Sequence, residues 1–492
     1  MTMTLRPALR RPLLAAALLL AFVYPALLNR APILYPDSIG YLQSGRAALA
    51  ALGLDPATEP APSTNAPRLA PGPAAIINTS DGVTTARSVF YGAIAAASYA
   101  LLGPWALPLF QIAVIIAALW LALRRLVGRH DDSVAAAVAL TGAVAGAGAF
   151  AGTVMPDVFA GLLILAIAMS VIWFGAMHTA ERLFWLALAL AAILFHKSHL
   201  ALAAPLLAFA AALTWRTARP AWSGLAALGG VLVIGVASHA LVDVTTRARL
   251  GVAPITPPFL LARLVGDGTA VRFLRAECAT RQYEVCRYLA HMPMTENEFL
   301  WSKDPERGAF ALLDAAGKRR LAAQERAIVG ATLRRFGAEQ AFLSAGNAAR
   351  QAALVGVQEY GLGPRIPPEH LPWIAPLLRS YQSTAIAKRT MPLRTLSIAM
   401  TLSYLLAAAT LCWLLLRRAP PGADPPRATE VVLIVVAGVL ANAVICGAIS
   451  GVFDRYQGRV AWVLTAVALG WLLGLRQRAV SPPNPLPSSG QD

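Results

Sequence analysis

The stretch LFWLALALAAILF-HKSH-LALAAPLLAFAAALT, residues 183–214, decides how the chain is threaded. Two short apolar runs flank His196-Lys197-Ser198-His199. Read as a turn, the four polar residues join two membrane spans, 183–195 and 199–214. Read as a bend in one long helix, they flip every segment that follows. Charge favours the turn. With it, and with the amino terminus in the cytoplasm, the short inner connections carry Arg6, Arg10 and Arg11; Arg124, Arg125 and Arg129; Arg182; Arg216 and Arg219; Arg417, Arg418 and Arg427; Arg476 and Arg478. The short outer connections carry only Lys197, Arg455 and Arg459. Such an excess of basic residues on one side is the mark of cytoplasmic loops.

Working outward, apolar run length gives roughly ten spans. They are 11–29, 104–123, 133–152, 157–176, 183–195, 199–214, 222–242, 393–416, 429–449 and 460–475. Composition agrees: 57% of residues are hydrophobic and 14% charged, against about 25% charged in a soluble domain. The expected fold is therefore an all-α polytopic membrane protein. The net charge of +17 is spread over short connections without a long basic run, which argues against nucleic acid as a partner. The first run lacks a small-x-small cleavage site near Tyr24-Pro25 and reads as a signal anchor.

Four units follow. Residues 1–242 form an N-terminal transmembrane module with an outer loop at 30–103. Residues 243–392 form a periplasmic helical segment, 393–476 the last spans, and 477–492 a Pro- and Ser-rich disordered tail. In the outer loop, Ser38–Leu54 and Arg87–Leu102 read as helices lying along the membrane surface, and 55–86 reads as a Pro/Gly-rich loop. Segment 243–392 has ordinary soluble composition and reads as a helical cap over a membrane site. Its Cys278 and Cys286 are the only cysteines outside the expected spans, and in an oxidising compartment they are expected to form a disulfide.

The polar motifs that border the apolar runs all fall on the outer face. They are Pro36-Asp37-Ser38, Met155-Pro156-Asp157, His196-Lys197-Ser198-His199 and Asp454-Arg455-Tyr456-Gln457-Gly458-Arg459. Ionisable groups this close to hydrocarbon are costly and usually mark a site. Asp37, directly after the first span, suits a general base or a helix cap. Asp157 opens a span after a proline, where a cap is the natural reading. Arg455 and Arg459 lie one helical turn apart, and their guanidinium forks match phosphate oxygens; Lys197 is a further phosphate contact. His196 and His199 alone do not make a zinc site, so neither a metal nor another cofactor is indicated.

An Asp straight after the first span, in Tyr35-Pro36-Asp37-Ser38-Ile39-Gly40-Tyr41, resembles the GT-C glycosyltransferases. The resemblance is to the branch with protein O-mannosyltransferases and lipid A aminoarabinose transferases. Arg87-Ser88-Val89-Phe90-Tyr91 through Leu102-Gly103, followed by a span ending in Leu123-Arg124-Arg125-Leu126, is similar to the same family. A paired acidic residue at position 38 and a Pro-Pro-Leu run after Arg87 are absent. The resemblance implies transfer of a sugar from a polyprenyl-phosphate-linked donor to a lipid, glycan or protein acceptor. The reaction would take place at the periplasmic face of a bacterial inner membrane. It implies Asp37 as base and Asp157, Lys197, Arg455, Arg459, Tyr41 and Arg87 as substrate-binding residues, among membrane lipids as neighbours. The competing reading is a transporter or flippase of a lipid-linked or anionic substrate. Transporters place charge at mid-membrane and often carry inverted repeats; these motifs sit at one edge, and no second half mirrors the first.

Overall fold

A computed structural model describes residues 7–54, 87–128, 132–217, 221–251, 254–417, 425 and 427–480. The expected loop 55–86, the tail beyond 480, and Arg6, Arg129, Arg219 and Arg418 lie outside the described residues.

The described residues are helical, with one isolated parallel β-bridge between Ile33 and Thr153. The first half contains α1 (Pro7–Leu28), α2 (Pro36–Ala51), α3 (Val89–Leu102), α4 (Ala106–Val127), α5 (Asp132–Ala143), α6 (Ala147–Ala151) and α7 (Val158–Trp173). Next come α8 (Thr179–Phe195), α9 (Ser198–Arg216) and α10 (Trp222–Leu250). Seven helices are long and apolar enough to cross a membrane: α4, α7 with its 3-10 extension to Ala176, α9, α10, and the last three helices, α16 (Leu393–Leu416), α17 (Ala428–Ile449) and α18 (Asp454–Val480). The chain is a multi-pass helical membrane protein.

Contacts along the helices set their directions. Phe159, at the start of α7, meets Phe195, at the end of α8, with ring centroids 4.7 Å apart. Ser170, near the end of α7, backs onto Gly224 at the start of α10. Trp215 of α9 meets Trp222 of α10 at 5.8 Å. Helices α8 and α9 therefore run in opposite directions, and His196-Lys197 is a turn between them, as charge required. The turn shares one end of the bundle with Asp157.

The opposite end gathers arginines. Arg125 grips the buried Glu181 through Nη2 at 2.6 Å and Nε at 3.1 Å, and Arg427 caps the Ile172 carbonyl at 2.6 Å.

Four boundaries differ from expectation. The run 133–152 is two helices, α5 and α6, broken at Gly146, whose φ of +92° a side chain would strain. Helix α10 continues well past 242, and residues 477–480 prolong α18 instead of starting the tail. Helix α18 also starts at Asp454, so the Asp454–Arg459 motif is the helix's first turns and not a connection before it.

The expected outer helices form as α2 and α3, and they cross at Gly45 and Gly92. A Cβ on either glycine would collide with the other helix's backbone, which is why the crossing is so close.

The segment between α10 and α16 has two parts with separate cores. Its first part holds α11 (Phe259–Gly266), α12 (Thr269–Glu277), α13 (Glu296–Trp301) and the front half of α14 (Ala315–Ala353). These pack around Leu261, Phe273, Phe299 and Ile328, in a core of their own. The Cys278–Cys286 disulfide is formed here, with Cα atoms 5.7 Å apart. A kink at Phe336 then sends α14 down to the bundle. There Gln351 bonds both to the Phe453 carbonyl at 2.8 Å and to its amide at 2.9 Å. The second part, with α15 (Ala375–Tyr381), packs Val357, Tyr360, Ile374 and Leu378 into the core of the bundle itself.

Candidate functional site

Two backbone hydrogen bonds place the site. Ile33 N–H donates to the Gly152 carbonyl at 3.0 Å, and Val154 N–H donates to the Ile33 carbonyl at 2.9 Å. They bind the extended chain after α1 to the chain before α7, so Tyr35 arrives against Arg455, the partner of Asp157. The fully buried Gln111 braces the join by donating to the Ala151 and Thr153 carbonyls at 2.9 and 2.8 Å. Tyr91 in turn donates its hydroxyl to Gln111 at 3.0 Å.

Asp157 stands at the start of α7 but caps nothing with its side chain. Its carboxylate receives Arg455 Nη1 at 2.9 Å and Arg459 Nη1 at 3.4 Å. The capping reading is thereby replaced: a carboxylate 1% exposed needs charged partners more than a helix needs a cap. One-turn spacing brings both arginines of α18 to it. Arg459 also donates to Asn442 Oδ1 from Nη2 at 3.0 Å and from Nε at 3.3 Å. Asn442 spends its amide on the Tyr456 carbonyl at 2.7 Å. Arg459 is thus enclosed and saturated.

Arg455 is the bridging group. Its Nε reaches Glu359 Oε2 at 3.2 Å, and its guanidinium lies over the rings of Tyr35 at 4.3 Å and Tyr456 at 4.8 Å. Burial raises the Glu359 pKa to about 7 despite the pull of Arg455, and the charges of Asp454 and Asp157 push the same way as burial. Glu359 therefore titrates near neutrality.

Asp37 sits in the first turn of α2 and is not its cap. The capping geometry belongs to Tyr35 and Ser38, with Tyr35 N–H donating to Ser38 Oγ at 3.0 Å. Asp37 instead forms an ion pair with Arg87, the side chains being 25% and 22% exposed. Arg87 lies over the ring of Tyr41 at 6.0 Å and over Trp301 of α13 at 5.7 Å. The Asp37 carboxylate is within electrostatic reach of Arg455 and Tyr456. One half-open pair and one buried cluster thus face each other at the same end of the bundle.

Asp37, Tyr41, Arg87, Asp157, Arg455 and Arg459 come together as the sequence suggested. Lys197 turns elsewhere, to Asp243 on the extension of α10, at 3.5 Å. Among the described residues no group of three His, Cys, Asp or Glu side chains could hold a metal ion. Sequence reasoning missed Glu359, Tyr35, Asn442 and Trp301. Asn442 had a signal, a lone amide deep in an apolar run. Glu359 and Trp301 had none, being ordinary residues in a segment of ordinary composition.

No protein-family model matches this chain, and neither a curated protein nor a solved structure matches it.

Proposed function

We propose that the chain is a membrane glycosyltransferase of the GT-C kind. It moves a sugar from a polyprenyl-phosphate-linked donor to an acceptor hydroxyl at the periplasmic face of a bacterial inner membrane. One observation carries the reading. A partly exposed carboxylate, Asp37, stands beside a concentration of arginines at the end of the bundle away from the Arg124, Arg125 and Arg427 side.

In this reaction the acceptor oxygen attacks the anomeric carbon, and the bond from that carbon to the phosphate oxygen breaks. The electron pair leaves with the polyprenyl phosphate, and Asp37 takes the acceptor's proton. Cations placed where charge develops stabilise the leaving phosphate, and in this reading Arg455 and Arg87 take that role. Asp157 holds the arginines in position and does no chemistry. A count of roughly ten spans, with α1, α5–α6 and α8 added to the seven longer ones, supports an outer position for this end. Helices α2 and α3 then lie at the membrane surface.

The test is transfer of sugar from a polyprenyl-phosphate donor by Asp37→Asn. Loss of a positioned base costs roughly 10²–10⁴-fold, so transfer falls by that factor while the variant stays folded and binds donor. Full activity would end the mechanism and favour transport of a lipid-linked substrate.

A further inference from the structure

His196 has a fixed tautomer. It begins the turn between α8 and α9, and its Nδ1 receives the Ser198 backbone N–H at 3.2 Å and lies 2.7 Å from Ser198 Oγ. A backbone N–H can only donate, so Nδ1 carries no proton and the proton sits on Nε2. Charging the ring would require breaking the bond to the backbone. Burial, the neighbouring His199, and then Arg459, Arg87 and Arg455 all hold its pKa well below the usual imidazole range. Phe195, next to His196, packs on Phe159, two residues past Asp157, with ring centroids 4.7 Å apart, so the ring lies at the end of the bundle where Asp157 holds Arg455.

His199 is fixed the other way. Its Nδ1 donates to the Ala192 carbonyl at 2.6 Å, a partner that can only accept. The two rings are 5.2 Å apart, yet no hydrogen bond joins them, and among the described residues His196 Nε2–H has no hydrogen-bond partner. Arg455 Nη2 has none either, its Nε and Nη1 being engaged by Glu359 and Asp157. Two unspent donors therefore share one neighbourhood. A phosphate monoester or diester, with several strong acceptor oxygens, is the ligand chemistry that would satisfy both.

We propose that His196 is an uncharged hydrogen-bond donor to the phosphate of the lipid-linked substrate, acting together with Arg455. The proposal rests on the glycosyltransferase reading and takes the phosphate contact expected of Lys197 to its neighbour. A neutral donor suits this place. The arginines already supply charge, and a further buried cation would be repelled by them.

Two substitutions separate binding from a merely local role. His196→Asn keeps an acceptor for Ser198 N–H but cannot reach the Nε2 position. His196→Gln reaches that position with an N–H but gives up the turn contact. Binding of a short-chain polyprenyl phosphate, the matching polyprenol and inorganic phosphate is measured on the detergent-solubilised chain, alongside thermal stability. Removing a hydrogen bond to a charged group weakens polyprenyl-phosphate binding roughly 10–100-fold. That loss is expected in the Asn variant, with near-parental stability. The Gln variant is expected to bind close to the parent, with somewhat lower stability. The reverse pattern, tight binding by Asn and loss with Gln, would overturn the proposal and leave His196 a turn residue. A parent that binds polyprenol as tightly as polyprenyl phosphate would instead sink the glycosyltransferase reading. Equal affinity for inorganic phosphate, with the same dependence on His196, would support the phosphate contact and overturn the lipid-linked substrate.

Discussion

Asp37 with Arg87, and Asp157 with Arg455 and Arg459, use the same two residue types for opposite ends. The first pair is about a quarter exposed, joins α2 to a residue two positions before α3, and is touched by Trp301 of α13. The second is nearly sealed: Asp157 is 1% exposed, and it joins α7 to a helix almost 300 positions later, across a separation of 298 residues to Arg455. Burial sets the difference. A carboxylate open to water can exchange partners, including a substrate hydroxyl, at little cost. A sealed carboxylate cannot lose its partners without stranding two guanidinium charges in low dielectric.

The largest expected effect follows directly. Asp157→Asn removes the charge that both arginines need, and breaking a buried pair of this kind costs about 3–5 kcal/mol. Thermal unfolding in detergent should show it as a large fall in Tm. Asp37→Asn, at the open pair, should change stability by no more than about 1 kcal/mol, while under the proposed mechanism it loses most transfer. Equal losses of stability in the two variants would erase the distinction between an architectural and a chemical carboxylate.

Glu359 lies between the two extremes and gives a pH test. Its folded pKa is raised to about 7 by burial, above the roughly 4.3 of an exposed Glu. For a raised carboxyl pKa the protonated form is the one favoured by folding. The contribution is fully present below the unfolded value and is lost as pH rises through the folded value. Parental stability should therefore decline between about pH 4.5 and pH 7, and Glu359→Gln should flatten that part of the decline. A Gln variant whose Tm follows the parental pH profile would mean that Glu359 stays ionised and belongs with Asp157 as a permanent partner of Arg455.

Much of this was legible in the chain. Apolar run length found the seven helices long and apolar enough to cross a membrane, because a run that must satisfy its own backbone in hydrocarbon has little alternative to helix. The gathering of Asp37, Asp157 and the α18 arginines at one end followed from counting spans. What stayed hidden depends on contacts across space. Nothing near Asp157 in sequence says that its partners are Arg455 and Arg459. Residues 358–362 look like surface loop, yet Tyr360 is fully buried in the core of the bundle. The break at Gly146 was masked by small apolar residues on both sides, which keep a run hydrophobic while allowing a positive φ. Lys197 pairs away from the cluster for a related reason. A long, flexible side chain at a turn has many places to go, and the extension of α10 past residue 242 supplied Asp243.

The smallest expected effect probes how the part of the chain around α13 bears on the open pair. Trp301 ends α13, is 42% exposed, and holds its ring 5.7 Å from the Arg87 guanidinium, with Phe259 at 6.2 Å behind it. A partly exposed cation–π contact contributes about 0.5–1 kcal/mol. The contact steadies Arg87, which in turn steadies Asp37, so under the proposed mechanism its loss is felt as geometry at the base rather than as loss of the fold. Trp301→Ala should lower transfer about two- to fivefold with little change in Tm, and Trp301→Phe, keeping a smaller face, should fall between Ala and the parent. A far larger fall, beyond a hundredfold, would mean that the indole touches substrate and that this part of the chain belongs to the binding site. No fall at all would detach it from the open pair. It would then leave burial alone to explain why Asp37 and Asp157 behave differently.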